Sequence, residues 1–197
     1  NKDSVVILVA YRDDADNTLT ATYNGVSAVS IGSKVTSAGS ILKAQAFLLR
    51  SASTGANTAS ISSTGSIGDV IAGGVISFSG EMATDTPDAT ANGGEAPGVE
   101  DPRSTTITTV AEDALIIDVI SDRSAGLTKG ASQTLIFQEG AGDNMAGSYR
   151  IATTATGYAM EWDPTENTED WAHFVFSLKP AVGGTYVGSF YGSGGYF

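Results

Sequence analysis

The sequence predicts an all-β protein, an antiparallel β-sandwich of jelly-roll-like type with about ten strands and a strand-like C-terminal tail. Short runs of β-branched and aromatic residues recur along the chain, at a spacing of roughly 10–15 residues. Turn residues separate these runs, and glycine alone accounts for 24 of the 197 residues. Hydrophobic residues make up 41% of the chain, enough for a sizeable core, and no capped helical pattern competes with the strands.

The first predicted strands lie at the N-terminus. The run "DSVVILVAY" at 3–11 is rich in β-branched residues and ends at the turn sequence "RDDADN". The segment at 19–35 alternates around Asn24-Gly25, a dipeptide typical of two-residue β-hairpins. We therefore expect a strand followed by a tight hairpin.

The secondary structure of two segments in the middle of the chain has to be inferred from their pattern and composition. Residues 41–50 have a helical composition, but Ile41, Phe47 and Leu49 keep a period of two, which favours a strand. Residues 81–103 are acidic and contain three prolines, and we expect a long loop there. The remaining predicted strands cover residues 57–63, 69–80, 104–110, 113–121, 132–139, 147–154, 157–162 and 171–180.

The composition changes near the C-terminus. Pro180 ends the last predicted strand of the domain, and Gly183-Gly184 opens a segment with six glycines, five aromatics and no charge. We therefore predict a β-sandwich domain over 1–181 and a Gly/aromatic tail over 182–197.

Four segments occur in an order that resembles a known module: "TYNGV" at 22–26, "VIAGGVISFSG" at 70–80, "AEDALIIDVI" at 111–120 and "WAHFVFSLKPA" at 171–181. Together they resemble the jelly-roll β-sandwich modules of secreted bacterial surface proteins and phage structural proteins, over most of residues 4–181. The resemblance implies display, adhesion or assembly, with no catalytic residues. It also implies a strand before "SVVILVAY", so we expect one open sheet edge at the front of this chain.

Charge and composition exclude several partners. The net charge is −12, and such a surface repels both nucleic-acid phosphates and anionic lipids. No run of 18 apolar residues is present, so we expect no membrane insertion. The absence of cysteine excludes disulfides, thiolate catalysis and cysteine metal sites.

Catalytic patterns are also missing. His173 is the single histidine, and in "WAHFVFSL" it alternates with Phe174 and Phe176, so we expect it on the outer face, at the surface or rim. No Gly-x-Ser-x-Gly elbow accompanies it. The acidic residues concentrate in turns, where side chains are usually solvated. The sequence therefore predicts no enzyme.

The turn after the first run contains the best metal candidates. Asp13, Asp14 and Asp16 are close enough in sequence to share a calcium ion, but they lack the glycine and final glutamate of an EF-hand loop. We favour solvated turns and predict no cofactor, with calcium as the open alternative.

Carbohydrate binding would need exposed aromatic platforms. Candidates are Tyr149, Tyr158, Trp162 and Trp171, although aromatic residues in strands more often pack in a core or at its rim. Glycan therefore stays a possible partner.

The tail offers the clearest functional clue. Residues 185–191, "TYVGSFY", alternate like a strand and carry no charge, so a free copy would invite edge pairing. The tail can pack on its own domain, stay disordered, or add a strand to a neighbouring subunit. The residues predicted to take part in assembly are Tyr186, Val187, Phe190, Tyr191, Tyr196 and Phe197.

These observations favour a pilus-like structural protein. We expect a self-assembling subunit of an extracellular or cell-surface filament, a homopolymer joined by strand donation between copies. The alternatives are a glycan-binding or adhesin module, and a virion surface or decoration protein anchored by the same tail.

Overall fold

The computed structural model describes most of the chain. Both backbone and side chains are described for most of the residues given below, whereas only the backbone is described for 3, 79 and 187–191. The described residues are 3–39, 41–53, 55, 57–67, 70–79, 86–94, 102–124, 126–140, 143–166, 170–179 and 187–191.

Strands dominate these residues, and every pair of neighbouring strands is antiparallel. This confirms the all-β, antiparallel sandwich class, with more strands than the ten expected. The described part of the chain includes no helix long and apolar enough to cross a membrane. The strands are β1 (Asp3–Arg12), β2 (Leu19–Tyr23), β3 (Val26–Thr36), β4 (Leu42–Ala52), β5 (Ala59–Ser63), β6 (Ile71–Ser79), β7 (Ala89–Gly93), β8 (Arg103–Thr108), β9 (Leu115–Asp122), β10 (Leu127–Lys129), β11 (Thr134–Glu139), β12 (Asn144–Ile151), β13 (Gly157–Pro164), β14 (Trp171–Leu178) and β15 (Val187–Tyr191).

The strands form three sheets. The largest has seven strands in the order β15-β6-β1-β4-β3-β2-β5. A five-stranded sheet has the order β11-β12-β9-β14-β7, and a three-stranded sheet has the order β10-β13-β8. The chain thus leaves the large sheet after β6 and returns to it only at β15.

The predicted hairpin is present between β2 and β3. Asn24 and Gly25 have φ angles of 52° and 76°, and Tyr23 pairs with Val26 across the turn. Positive φ at both central residues is the requirement of a type I′ turn, which Asn-Gly meets at low cost.

The main core lies between the seven-stranded and five-stranded sheets. Val6 and Leu8 of β1 belong to it, together with Val119 of β9 and Phe174 and Phe176 of β14. Alternate positions on each strand supply these side chains, as expected for strands that bury one face against a second sheet.

The other face of β1 is buried as well. Val5, Ile7 and Val9 pack in a second cluster with Leu19 and Ala21 of β2, because the large sheet curls over this face. Burial on both faces explains the uninterrupted apolar sequence of β1. β1 pairs with β4 on one side and with β6 on the other, so it is not an edge strand. The open sheet edge that we expected at the front of the chain therefore does not lie beside β1.

The three-stranded sheet forms a third layer. Ile107 of β8 and Met160 of β13 pack against Ile116 of β9 and Val175 of β14, on the face of the five-stranded sheet turned away from the main core. That face is therefore covered, which decides the environment of His173.

Two strands depart from the predicted pattern. β7 (Ala89–Gly93) lies inside the segment 81–103, where we expected only a loop, and β10 (Leu127–Lys129) was not expected at all. Neither "ATANG" nor "LTK" has a β-branched run, and each strand is specified by its partner, β14 for β7 and β13 for β10.

Candidate functional site

The prediction that Trp162 and Trp171 belong to an exposed glycan platform is wrong. Trp162 and Trp171 are only 0% and 1% exposed, so neither indole can stack on a sugar in this fold. The cause is the three-stranded layer: Trp162 belongs to it, and Trp171 lies beneath it in a cluster with Ile120 and Leu127.

The two candidate tyrosines are half-buried, and neighbouring side chains contact both of them. Tyr149 packs against the main core. The ring of Tyr158 lies 4.8 Å from the guanidinium carbon of Arg150, a cation–π contact. The Tyr158 hydroxyl accepts a hydrogen bond from the Thr154 backbone at 3.1 Å, and bonds to Thr154 hold the pKa of Tyr158 below its usual value.

His173 is fully buried, so the expectation of a surface or rim histidine is wrong. The alternation in β14 does place it opposite the face of Phe174 and Phe176, but the three-stranded sheet covers that face. His173 Nε2 lies 3.1 Å from Asp118 Oδ2. Its Nδ1 has no hydrogen-bond partner among the described residues.

Asp118 on β9 is the centre of a buried polar network. Its Oδ1 accepts hydrogen bonds from the Ser148 backbone and hydroxyl, each at 2.7 Å. Its Oδ2 accepts one from Trp162 Nε1 at 2.9 Å and one from Gln133 Nε2 at 3.4 Å. With His173 the carboxylate therefore contacts groups from four other parts of the chain.

Gln133 connects this network to the third layer. Its Nε2 also donates to Ser148 Oγ at 2.7 Å, and its Oε1 accepts from the Glu161 backbone of β13 at 2.7 Å. A buried polar group is stable when its partners are present, and this network joins β9, β12, β13 and β14 through one carboxylate.

A second buried polar contact ties β8 to the end of β9. Arg103 Nε donates to Asp122 Oδ2 at 3.0 Å, and both side chains are fully buried. Asp122 Oδ1 accepts from the Ser124 backbone at 2.6 Å. The Arg103 guanidinium also lies 5.8 Å from the Trp171 ring centroid. The third layer is thus held by polar contacts as well as by apolar packing.

The buried network has the residue types of a catalytic triad but not the arrangement. Ser148 Oγ bonds to Asp118, whereas a nucleophilic serine must bond to the histidine. Ser148, Asp118 and His173 are all 0% exposed, so substrate has no access to them. The network is a structural connection between sheets. The one sequence feature that could have revealed it is a charge inside the apolar run "LIIDVIS".

The three calcium candidates, Asp13, Asp14 and Asp16, have different environments. Asp13 is 3% exposed and accepts from the Ala15 backbone and from Asn17 Nδ2, at 3.1 and 2.7 Å. Asp16 pairs with Lys34, and this hydrogen bond lowers the pKa of the Asp16 carboxyl. Asp14 is exposed. Within the described ranges, no group of three or more His, Cys, Asp or Glu side chains is placed to hold a metal ion.

The tail contributes a strand to the large sheet. β15 is its outermost strand and pairs antiparallel with β6, from Val187 opposite Ser79 to Tyr191 opposite Val75. Among the predicted assembly residues, Val187, Phe190 and Tyr191 lie in this strand. Tyr186, Tyr196 and Phe197 lie outside the described residues.

The register brings the tail next to the main core. Phe190 lies opposite Ile76 and Gly188 lies opposite Phe78, and both β6 side chains are core residues. In the single chain, residues 187–191 of the tail therefore pair with their own domain, which agrees with one of the open alternatives.

No protein-family profile, no curated protein and no solved structure matches this chain.

Proposed function

We propose that this chain is a non-enzymatic structural subunit that assembles with copies of itself into an extracellular or cell-surface filament, joined by donation of β15. The observation that carries the proposal is the position of β15 at the outer edge of the seven-stranded sheet, paired with β6. A main-chain ladder of this kind forms equally well with a strand from another copy.

The sequence around β15 suits exchange between copies. Gly183 and Gly184 precede the strand, and glycine gives a connecting segment a wide choice of backbone conformations. A strand passed from each subunit to the next is a head-to-tail contact, and such contacts build a filament when the rotation does not close into a ring.

The alternatives have less support. The burial of Trp162 and Trp171 removes the main basis for a glycan-binding module. A virion decoration protein would use the same tail on a different partner, so the purified chain alone would not form filaments.

The test compares the full chain with a chain that ends at Ala181. Negative-stain electron microscopy is expected to show filaments for the full chain and no filaments for the shorter one. Fluorescence of the buried Trp162 and Trp171 verifies that the shorter chain is folded. Filaments from a folded shorter chain would refute donation of the tail.

A point substitution makes the same test without deletion. Phe190→Asp places a charge opposite the fully buried Ile76, and we expect it to abolish or greatly reduce filament mass. Ser193→Asp adds the same charge two residues beyond the end of β15 and serves as the matched control. Equal filament mass in the two variants would contradict the proposal.

A further inference from the structure

The outer edge of β6 has the sequence and the burial expected of an edge that another strand covers. Its sequence, "IAGGVISFS", contains no lysine, no proline and no acidic residue, the features that usually protect an exposed strand from pairing. Ile76 and Phe78 on this strand are core residues, only 0% and 2% exposed. An uncovered β6 would therefore leave unpaired main-chain groups directly beside the main core.

The outer strands of the described sheets other than β15 are different: β7 has only five residues, and β8 begins with Arg103. β5, at the opposite end of the large sheet, has only five residues, and three of them are serines. β10 has three residues and ends in Lys129, and β11 ends in Gln138-Glu139. Short, polar or charged strands resist edge pairing. Among these edges, β6 alone combines length, apolar character and absence of charge.

The described part of the ladder on β6 stops beside the contact between the two large sheets. Val75 is the last β6 residue paired with the described part of β15, and the next residue, Gly74, lies against Phe137 of β11. A Cβ atom on Gly74 would lie 2.5 Å from Phe137 Cδ1, so only glycine allows this approach. β6 is thus anchored against the second sheet at Gly74, and residues 75–79 form the edge that takes a strand.

Charge favours a second copy of this chain as the partner. Each copy carries a net charge of −12, so two copies repel over most of their surfaces. Residues 183–197 and the whole of β6 are uncharged. A joint between these two segments brings the copies together without placing like charges opposite each other.

From these observations we infer that residues 75–79 of β6 are the acceptor for β15 of a second copy, in the register seen within the chain. The inference rests on the proposed function and adds to it the acceptor edge and the register. Ser189 of the donor then lies opposite Ser77 of the acceptor.

Two serine-to-cysteine variants of the full chain test this register. The protein has no cysteine, so Ser77→Cys and Ser189→Cys each carry a single thiol, and a 77–189 disulfide in their mixture must join two copies. Directly opposite residues have Cα atoms about 4.5–5.5 Å apart, within the range of about 4.4–6.8 Å that disulfides span. The variants are mixed under assembly conditions, oxidised, and analysed by non-reducing gel and mass spectrometry.

A shifted pair is the matched control. Ser79 lies opposite Val187, two residues along from the partner of Ser189, so a mixture of Ser79→Cys and Ser189→Cys presents a diagonal pair about 7–8 Å apart. We expect a dimer band with the 77–189 linkage from the first mixture, and its loss or strong reduction in the second.

A third variant tests whether the strand must leave its own edge. Ser77→Cys/Ser189→Cys in one chain, oxidised while dilute, locks β15 onto its own β6. We expect this protein to stay monomeric and to form filaments after reduction. Filaments from the fully oxidised, intrachain-linked protein would overturn the inference.

The outcomes separate the acceptor edge from the proposed function. Filaments with the 77–189 linkage support both. Filaments that depend on the tail but give no 77–189 linkage, or give as much 79–189 linkage, overturn the acceptor and register while assembly stands. The linkage without filaments supports the acceptor edge and refutes the filament. Absence of both refutes both.

Discussion

Replacing Asp118 with asparagine tests whether the buried polar network holds the three-stranded layer in place. The substitution keeps the shape of the side chain but turns one acceptor oxygen into an NH2 donor. Both oxygens accept hydrogen bonds in the protein, Oδ1 from Ser148 and Oδ2 from Trp162, His173 and Gln133. Neither orientation of the amide can satisfy all of these donors.

The cost follows from the donors that lose an acceptor. With the NH2 group at the Oδ1 position, the Ser148 backbone N–H and one amide N–H face each other. With the NH2 group at the Oδ2 position, Trp162 Nε1 is left unsatisfied. His173 can then accept only by moving its proton to Nδ1, which has no partner among the described residues. Two buried donors are affected either way, and at about 1–3 kcal/mol each the free energy of unfolding falls by about 2–6 kcal/mol.

Urea unfolding followed by tryptophan fluorescence measures this change, because Trp162 and Trp171 are both buried. Asp113→Asn is the matched control. Asp113 is exposed with a φ of 54°, a conformation that asparagine tolerates well, so we expect a change within about 0.5 kcal/mol. A loss below about 1 kcal/mol for Asp118→Asn would refute the role assigned to the network.

Gly74→Ala tests how closely the large sheet packs against β11, and Tyr11→Phe tests how stability depends on pH. Gly74→Ala places a Cβ 2.5 Å from Phe137 and should lower the free energy of unfolding by about 1–3 kcal/mol in urea, whereas Gly157→Ala, whose Cβ meets its nearest atom at 3.6 Å, should change it little. Burial, with a smaller contribution from nearby carboxylates, raises the pKa of Tyr11. The folded protein then keeps a proton that the unfolded chain loses above about pH 10, so stability falls as pH rises. In urea titrations from pH 8 to 12, Tyr11→Phe should lose less stability than the native chain above pH 10, and parallel curves would contradict this.

Local chemistry explains what could be predicted of the fold from the sequence. The Asn24-Gly25 hairpin follows from a dipeptide that tolerates positive φ, and β1 follows from a β-branched run that ends in a polar turn. The segment at 41–50 was correctly predicted as a strand from its period of two, although β4 is in fact buried on both faces from Leu42 to Leu48. β7 and β10 were missed because their own residues favour strands weakly and their partners lie far away in sequence.

The site predictions were wrong for residues whose exposure depends on the three-stranded sheet. The alternation in β14 correctly separates His173 from Phe174 and Phe176, but alternation reports which residues share a face and not whether that face meets water. The three-stranded sheet covers the face with His173, and it buries Trp162 and Trp171 as well. The local pattern of these strands does not indicate that layer, because the layer forms only when β8 and β10 pair with β13, which other strands separate from them in the sequence.

The pairing of β15 within the chain bears on how assembly is driven. The ladder between β15 and β6 is the same whether the strand comes from the same chain or from another copy, so exchange by itself gains little free energy. A strand tethered to its own domain has an effective concentration on the order of mM, which free subunits rarely reach. The net charge of −12 adds repulsion between copies. Subunits that assemble through β15 must therefore gain additional contacts between their domains, and until then β15 covers the β6 edge and keeps the single chain from pairing at random.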